Sequence, residues 1–451
     1  MPLVAGKVGI YVCGPTVYNY FHIGNARPFI VFDTLRRYLE YRGFEVNYVQ
    51  NFTDIDDKMI RRANEEGITV KELADRFIAE YFVDTKGLGI REATAHPKAT
   101  ECMPEIIGIV GRLIANGYAY EIEGDVYFDT TKFKTYGKLS GYNLEDLESG
   151  SRVDVDGRKR SPADFALWKS QKPDEPAWES PWGMGRPGWH IECSAMSMKY
   201  IGETVDIHCG GQDLVFPHHE NEIAQSEAAT GKQFARYWMH NGFINVDNEK
   251  MSKSAGNFFM VRDVVKKFDY EVIRFFMLSS QYRSPINFAD TLLEQAKNGL
   301  ERMYTCLSNL EFLKANPHIG EKAGVGIATK MAAFREKFID AMDDDLNTAD
   351  AVSVIFECVR EINQNVTADT QANLADVEAS IAMIIELGGV LGIAQKEGNC
   401  ELEAEVEKLI AERTQARAEK NWALSDKIRD QLKGMGIVLE DTPQGIRWRK
   451  M

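Results

Sequence analysis

The chain has 451 residues with 44% hydrophobic and 27% charged side chains, a composition typical of a globular protein with about two to four domains. It contains no apolar run of about 18 residues, which excludes a membrane-spanning helix, and its seven scattered cysteines argue against a disulfide framework and for the cytosol. The net charge is −15, yet residues 413–451 carry nine Lys or Arg against five Asp or Glu, which indicates either a local polyanion site or a solvated basic helix face.

The start of the chain is predicted to form a strand, a tight turn, a helix and a second strand. Residues 8–12 are mostly apolar, as in a buried parallel strand, and residues 13–16 interrupt them. Helical apolar spacing then continues to Gly43, and residues 44–50 are predicted to be the second strand. The backbone N–H groups at such a helix start favour phosphate, although the segment matches neither a Walker A loop nor a GxGxxG fingerprint.

The next part of the chain is predicted to contain two helices and an antiparallel insertion. A charged helix is expected at residues 58–81, after residues 51–57, and another helix at residues 102–115. Short strands separated by Gly and charged residues favour an antiparallel insertion within residues 118–165. Residues 161–187 are rich in Trp and Pro and are expected to be irregular.

The second half of the chain begins with strands and then becomes almost wholly helical. Residues 205–211 and 237–246 are predicted to be strands, and a helix is expected to start near Pro217. Four later stretches with helical apolar spacing fit an antiparallel bundle. They are followed by an expected helical pair or bent helix at residues 402–435 and a β-hairpin at residues 436–448.

Four residues could form a zinc site. His218 and Glu222 are four residues apart and share one face of a helix, but such pairs are also common surface contacts. Cys13 and Cys193 lie where α/β sheets place chemistry, although each alone is more often a buried free thiol. Two thiolates, a His and a carboxylate would make a tetrahedral site. Spacing cannot join residues so far apart, and three rival ligands remain open: His190, Cys209 and His219.

A polar loop at residues 250–254 carries two cations. Lys250 and Lys253 flank Ser252, and two cations three residues apart could neutralise a polyphosphate. An exposed basic loop without function would have a similar composition. The particular order Lys-Met-Ser-Lys-Ser favours the polyphosphate site.

Two motifs together carry a family resemblance. The segment His-Ile-Gly-Asn at residues 22–25 and the segment Lys-Met-Ser-Lys-Ser at residues 250–254 resemble the two signatures of class I aminoacyl-tRNA synthetases. Four surrounding segments are similar to the cysteinyl-tRNA synthetase family: residues 11–18, 51–58, 188–194 and 216–222. The resemblance spans essentially the whole chain, and the motifs together are highly specific.

The resemblance implies an α/β fold. It consists of a Rossmann-type class I synthetase catalytic domain with an inserted connective domain, followed by an α-helical bundle and a small C-terminal anticodon-binding domain. The implied domains are residues 1–115, the first half of the catalytic domain; 116–180, the connective or acceptor-stem insertion; 181–242, the second half with the zinc site; 243–300, the KMSKS loop and stem-contact region; 301–395, the helical bundle; and 396–451, the anticodon-binding domain.

The resemblance also implies the reaction. ATP activates L-cysteine as cysteinyl-adenylate with release of pyrophosphate, and the cysteinyl group is then transferred to the 3′-terminal adenosine of tRNA(Cys). The implied cofactors are one Zn²⁺ per chain, which recognises the substrate thiolate, and Mg²⁺ with ATP. The implied partners are ATP, L-cysteine and tRNA(Cys), with no membrane, and the enzyme is expected to be a cytoplasmic monomer.

Residue roles follow from the same resemblance. The implied zinc ligands are Cys13, Cys193, His218 and Glu222. The implied cysteine pocket contains Thr53, Trp189, His208 and Asp213. Contacts with ATP are assigned to Gly24, Asn25 and Lys253, and the catalytic residues are His22, Asn25, Lys250 and Lys253.

Two residues depart from the family pattern, and two other functions compete. Asn25 stands where the class has His, so its side chain can donate a hydrogen bond but cannot be charged, and Cys209 stands where the family usually has Gly. A related ligase of mycothiol synthesis, which joins activated cysteine to an aminosugar, would share the zinc and both signatures but needs no anticodon domain. A zinc-held binding module without catalysis is disfavoured because both phosphate-contacting signatures are intact.

Overall fold

The computed structural model describes residues 1–142, 157–246, 249–250, 258–315, 319, 322–396, 400–442 and 445–450. By its internal contacts the chain divides into two units, Met1–Leu293 and Glu294–Met451. Within the described ranges, no helix has both the length and the apolar character needed to cross a membrane.

The described residues of the first unit form three sheets with helices around them. In chain order the elements of this unit are β1 (Lys7–Val12), α1 (Ile23–Tyr41), β2 (Glu45–Gln50), α2 (Asp57–Glu66), α3 (Val70–Gly87), α4 (Met103–Ala115), β3 (Ala119–Ile122), β4 (Asp125–Phe128), β5 (Phe165–Ser170), β6 (Gly185–Pro187), α5 (Trp189–Tyr200), β7 (Val205–Gly211), α6 (Glu220–Thr230), β8 (Ala235–Asn241), β9 (Ile244–Val246), β10 (Glu249–Lys250), α7 (Val261–Val264), α8 (Tyr270–Leu278) and β11 (Ile286–Phe288).

The remaining elements are mostly helical. Helix α9 (Asp290–Lys314) begins in the first unit and continues into the second. The second unit then contains α10 (Ile327–Asp343), α11 (Thr348–Asn365), α12 (Leu374–Leu391), α13 (Cys400–Ala418), α14 (Trp422–Gly434), β12 (Ile437–Thr442) and β13 (Gly445–Lys450).

The central sheet of the first unit has the strand order β2-β1-β7-β8, and all its strands are parallel. Val12 is fully buried and lies opposite Gln50 on one side and Cys209 on the other. The predicted strand, turn, helix and strand at the start of the chain are therefore confirmed. Because parallel strands end at one edge, the loops after β1, β2 and β7 meet there, which is where open α/β sheets bind ligands.

An antiparallel sheet of order β3-β4-β5-β6 lies in the segment between α4 and α5. This sheet confirms the predicted antiparallel insertion. The prediction that residues 161–187 are irregular is wrong, because β5 and β6 lie there. Trp168 on β5 is fully buried and pairs with Val126 and Pro187, so tertiary packing overrides the weak strand signal of this segment.

The single helix predicted at residues 58–81 is two helices, α2 and α3. Gly67 ends α2 with a left-handed backbone at φ 66°, a conformation that glycine adopts without steric cost. Thr69 begins α3 with a capping box. Its hydroxyl accepts from the Glu72 N–H at 3.1 Å, and the Glu72 carboxylate accepts from the Thr69 N–H at 2.8 Å. Both signals are present in the sequence, and apolar spacing alone missed them.

A small sheet of order β10-β9-β11 carries the start of the Lys250 loop. Strand β9 pairs in parallel with β11 and antiparallel with β10. Lys250 is the last residue of β10, and the structure describes its backbone alone. Residues 251–257, which include Lys253, lie outside the described residues.

The second unit begins with a helical bundle. Helices α10, α11 and α12 pack on one another through buried side chains such as Phe338, Ile355 and Leu387. Asn347 and Asn373 cap α11 and α12, because each side-chain oxygen accepts from a backbone N–H of the first turn at 3.1 Å. The predicted bundle is therefore confirmed.

A smaller core organises the end of the second unit. Helices α13 and α14 and the hairpin β12–β13 confirm the predicted helical pair and hairpin. The buried residues of this core are Val406, Leu409, Ile428, Leu432 and Ile437. Trp422 at the start of α14 is 59% exposed and is not part of this core, whereas the side chain of the second tryptophan of this segment, Trp448, lies outside the described part.

Candidate active site

A cavity of about 390 Å³ lies at the carboxyl edge of the central sheet. The loop after β1, the start of α1 and parts of residues 211–214 and 241–244 form its wall. Six of the residues that the sequence predicts for the site line this cavity: Cys13, His22, Gly24, Asn25, Trp189 and Asp213. The structure thus brings the first signature and two residues of the predicted cysteine pocket to one place.

Helix α1 begins at this cavity, with His22 as its N-cap residue. The Asn25 side-chain oxygen accepts a hydrogen bond from the His22 backbone N–H at 3.4 Å, so its amide nitrogen is the end that can face a ligand as a donor. In the first turn the N–H groups of Ile23 and Asn25 donate to the carbonyls of Phe259 at 3.0 Å and His22 at 2.9 Å, so the N–H of Gly24 is the one that adds to this donor set among the described residues, at a helix start that favours anions. The first signature therefore forms a donor-rich site suited to phosphate.

The four predicted zinc ligands form one buried cluster. Their ligand atoms all lie within 4.8 Å of one another: Cys13, Cys193, His218 and Glu222. Cys13 Sγ is 3.9 Å from Cys193 Sγ and 3.5 Å from Glu222 Oε1. His218 Nε2 is 3.1 Å from Glu222 Oε1. Cys13 belongs both to this cluster and to the cavity wall, so a metal held here would border the cavity.

These separations fit a single tetrahedral zinc ion. Usual bond lengths would place two zinc-bound sulfurs about 3.8 Å apart and a sulfur and an oxygen about 3.6 Å apart. The observed distances are 3.9 Å and 3.5 Å. A zinc-bound nitrogen and oxygen would lie about 3.3 Å apart, against the observed 3.1 Å. The residues present therefore fit the metal in donor type and in spacing.

A second set of four possible metal ligands consists of Cys13, His208, His219 and Glu222. It shares Cys13 and Glu222 with the first set. His208 Nε2 lies 2.9 Å from Glu222 Oε2, whereas Cys13 contacts Oε1. His219 Nε2 is 3.3 Å from Cys13 Sγ but 4.0 Å from Glu222 Oε1, and its Nδ1 lies 2.8 Å from His240 Nε2. The geometry makes His208 an outer partner that holds Glu222 and leaves His219 as the rival ligand.

The other two rival ligands belong to neither set among the described residues. His190 Nδ1 lies 2.9 Å from His218 Nδ1, so His190 can orient His218, whose other ring nitrogen faces Glu222. Cys209 is fully buried, and its carbonyl accepts from the Cys13 N–H at 3.0 Å. The backbone of Cys209 therefore takes part in strand pairing next to Cys13, while its thiol belongs to neither set of ligand atoms.

Burial sets the protonation of the cluster. Loss of hydration raises the pKa of the Glu222 carboxyl and of the Cys13 thiol. A hydrogen bond from Cys13 lowers the pKa of the Cys193 thiol to about 7, which favours one thiol and one thiolate. Burial also lowers the pKa of His208 and keeps its ring neutral. Full deprotonation of such ligands is coupled to the binding of a cation.

The predicted cysteine-pocket residues fall into two groups. Trp189 is 44% exposed at the cavity wall, and its ring centroid lies 4.4 Å from that of His218. Asp213 also lines the cavity. Thr53 and His208 are buried and are not among the residues that line it. The structure thus brings two of the four residues to the cavity and places the other two behind its wall.

A second cavity, of about 410 Å³, adjoins the first and shares Thr16, Lys58 and Trp189 with it. Residues of β5 and β6 in the insertion form part of its wall. Glu192 lines this cavity and is 1% exposed. Its Oε2 accepts from Thr53 Oγ1 at 3.0 Å, while its Oε1 has no hydrogen-bond partner among the described residues. The sequence analysis did not select Glu192. The one indication of its importance in the sequence is that it lies within residues 188–194, a segment that carries the family resemblance.

Comparison with protein families gives three matches along the chain. Residues 1–298 match the tRNA synthetases class I (C) catalytic domain. Residues 337–395 match the DALR domain, and residues 399–449 match the cysteinyl-tRNA ligase anticodon binding domain. The first match covers more than half of the chain and contains both cavities and the whole cluster.

Individual proteins agree with these matches. The cysteine–tRNA ligase of Clostridioides difficile (strain 630) is 59% identical over 454 residues, which cover 100% of this chain and 97% of that protein. Mycobacterium tuberculosis methionyl-tRNA synthetase in complex with methionyl-adenylate has a similar fold, with a TM-score of 0.63 at 14% identity over 85% of this chain and 90% of that one. The Agrobacterium radiobacter K84 agnB2 LeuRS in a ternary complex gives a TM-score of 0.62 at 11% identity over 87% and 85%. The chain therefore belongs to the cysteinyl-tRNA synthetase family of class I aminoacyl-tRNA synthetases.

Proposed function

We propose that this chain is a cysteine–tRNA ligase that recognises its amino acid through one zinc ion held by the buried cluster. It activates L-cysteine with ATP and transfers the cysteinyl group to the 3′-terminal adenosine of tRNA(Cys). The observation that carries the proposal is the set of two Cys, one His and one Glu, which shares Cys13 with the wall of the first cavity. Cysteine-dependent ATP–pyrophosphate exchange, followed by tRNA charging, is the experiment that tests it.

The first cavity is the proposed site of activation. His22, Gly24 and Asn25 line it at the start of α1 and are proposed to bind the phosphates of ATP, with Mg²⁺ bound to the same phosphates. Lys250 and Lys253 are proposed to neutralise the departing pyrophosphate, because preplaced cations stabilise charge that grows in the transition state. The substrate carboxylate attacks the α-phosphorus, so the reaction needs no side-chain nucleophile.

Cysteine is proposed to bind beside the cluster. When bound, zinc supplies a soft electrophilic position that takes a thiolate and discriminates against a hydroxyl. The residues proposed to hold it are Cys13, Cys193, His218 and Glu222. Trp189 closes the pocket, and Asp213 binds the substrate ammonium group. His208 and Thr53 act from behind the wall, since each one contacts a buried glutamate.

Cobalt-substituted protein, in which Cys13 and Cys193 already give thiolate-to-metal charge-transfer absorption, is expected to gain further absorption of this kind when cysteine is added and none when serine is added. The two amino acids are nearly isosteric, and apolar contacts separate such pairs by only about 1–3 kcal/mol. Direct bonding to a soft metal position senses the sulfur itself. Absorption spectra recorded at equal saturation measure the effect, with metal-free protein as the control. Tight cysteine binding without a spectral change would mean that the metal is structural.

The acceptor end of the tRNA is proposed to reach the second cavity. Lys58 and Lys159 line this cavity, each with its ammonium over a tyrosine ring, and such cations bind phosphates of nucleic acid. Burial raises the pKa of the Glu192 carboxyl well above its usual range, so its Oε1 atom, which has no partner among the described residues, can exchange a hydrogen bond with a hydroxyl or amino group of the substrate. Trp189 borders both cavities, so this placement brings the terminal adenosine next to the activated cysteine.

Removal of residues 396–451 is expected to leave cysteine activation largely intact and to reduce tRNA charging strongly. This segment contains the match to an anticodon-binding domain, and Trp422 offers an exposed face on which an unpaired base can stack. Stacking of this kind contributes about 1–3 kcal/mol per base. Exchange and charging assays on one preparation measure both steps, and Trp422→Ala in the full chain is the matched point variant. An equal loss of both activities would instead indicate a structural tail.

Two observations support tRNA ligation over the competing functions. The anticodon-binding match at residues 399–449 favours tRNA over an aminosugar as the acceptor. The donor-rich start of α1 at the cavity favours an enzyme over a zinc-held binding module. We further propose that the enzyme is a cytoplasmic monomer and that its domains follow the boundaries implied by the family resemblance.

A further inference from the structure

Arg27 lies in the first turns of α1, and its side chain has no exposed surface. Its Nη1 donates to the carbonyls of Gly242 at 2.8 Å and Phe243 at 2.9 Å. Its Nη2 donates to the carbonyls of Ser284 at 2.7 Å and Gln281 at 3.3 Å. One side chain thus binds four backbone carbonyls that belong to two separate segments of the chain.

The Arg27 guanidinium has no carboxylate partner in the part of the chain that the structure describes. Arg274 is equally buried but pairs with Asp33 at 2.6 Å. A buried cation without a counterion is costly unless well-placed acceptors replace the water that it has lost. The carbonyls fill that role for the two Nη atoms of Arg27, whereas its buried Nε has no partner among the described residues, so the positions of these carbonyls matter more here than neutralisation of a charge.

The bound carbonyls belong to the wall of the first cavity and to the segment behind it. Gly242 and Phe243 line the cavity and connect β8 to β9. Gln281 and Ser284 lie shortly before β11, which pairs with β9. A Cβ atom on Gly242 would meet the Arg283 carbonyl oxygen at 2.5 Å. The two segments therefore touch backbone to backbone, and the guanidinium bridges them.

We propose that Arg27 is a positioning residue for ATP, which fixes the two sides of the ATP site relative to each other. One side is the start of α1, with His22 and Asn25. The other side is the connection from β8 to β9, and the chain continues from there through β9 and β10 to Lys250. This inference rests on the proposed function. Cysteine is bound by the cluster and Trp189, none of whose carbonyls contact the guanidinium, so loss of Arg27 affects ATP and spares cysteine.

Arg27→Lys is expected to raise the KM for ATP in pyrophosphate exchange by about tenfold or more, while the KM for cysteine stays within about twofold. Lysine keeps the positive charge but is a point donor that cannot hold four carbonyls in a planar fork. Zinc content and thermal midpoint are measured on the same preparation. A purely structural role would move the midpoint and both KM values together.

Arg274→Lys is the matched control. Arg274 also ties α1 to the rest of the unit, through Asp33, and its Nη1 donates to the carbonyl of Leu88 at 3.1 Å. Neither of these partners lines the first cavity. This variant is expected to keep the wild-type ratio of the two KM values even where its thermal midpoint falls.

If Arg27→Lys does not fold, Gly242→Ala is a second variant that tests whether the contact between these two segments positions the ATP site. Its methyl group would point at the backbone of residues 283–284 and separate the segments that Arg27 bridges, so the same ATP-selective change is expected. A parallel rise in both KM values, an unchanged KM for ATP, or an ATP-selective rise in Arg274→Lys overturns the proposal. Titration with a non-hydrolysable ATP analogue tests Arg27 even if the wild-type chain shows no cysteine-dependent exchange, so the two proposals fail separately.

Discussion

Replacement of Cys193 by serine is expected to abolish zinc binding and cysteine activation. The Cys193 thiol is buried, its pKa is lowered to about 7 by the hydrogen bond from Cys13, and its sulfur lies 3.9 Å from that of Cys13. A serine hydroxyl does not ionise under these conditions and is a poor match for a soft metal. Loss of an outer-shell partner costs roughly 10- to 100-fold in metal affinity, and loss of a direct ligand should exceed that. Metal analysis and pyrophosphate exchange measure the two effects.

Cys209→Ser is the matched control for this prediction. Cys209 is also fully buried and accepts a backbone hydrogen bond from Cys13, but it belongs to neither set of ligands. The Cys209→Ser variant is expected to bind zinc as the wild type does. Full zinc occupancy in Cys193→Ser would exclude Cys193 as an essential ligand and point to His219 as the rival ligand.

Lys253→Ala is expected to lower the rate of pyrophosphate exchange by about a hundredfold or more, which corresponds to about 3 kcal/mol of transition-state stabilisation. Negative charge grows on the pyrophosphate as it leaves, and a cation placed in advance lowers that barrier. Cysteine binding should change far less, because Lys253 is proposed to contact ATP. Initial rates at saturating cysteine, together with equilibrium binding of cysteine, separate the two effects.

Lys266→Ala provides a comparison for the loss of one lysine charge. Lys266 is exposed, pairs with Asp263 at 2.7 Å and does not line the first cavity. Its rate should remain close to that of the wild type. A rate near the wild-type value in Lys253→Ala would exclude the proposed role of that lysine.

The fold could be predicted from the sequence wherever one local signal dominates. Apolar spacing is enough for β1, α1 and β2, and for the helices of the second unit. The strand at Phe165–Ser170 could not be predicted in this way, because Trp168 is buried by partners on β4 and β6. Such pairing depends on residues that are distant in sequence, which a local pattern does not contain.

The candidate site could be predicted from local sequence patterns to an even smaller extent than the fold. The spacing of His218 and Glu222 predicts that they share a helix face, and their side chains do meet at 3.1 Å. No spacing could bring Cys13 and Cys193 to them, and the family resemblance supplied that grouping. Glu192 was missed altogether, because its significance lies in a cavity and a hydrogen bond with Thr53 that exist only in the folded chain.

The distribution of the cluster along the chain has a consequence for biosynthesis. One ligand lies at residue 13, the next at residue 193, and the last two at residues 218 and 222. A growing polypeptide therefore carries a single ligand for most of the time in which the catalytic domain is made. The zinc that we propose can be captured only after residue 222 has left the ribosome and both halves of that domain have joined. Because its binding energy then favours the joined form, metal supply would set how much newly made chain reaches the finished structure.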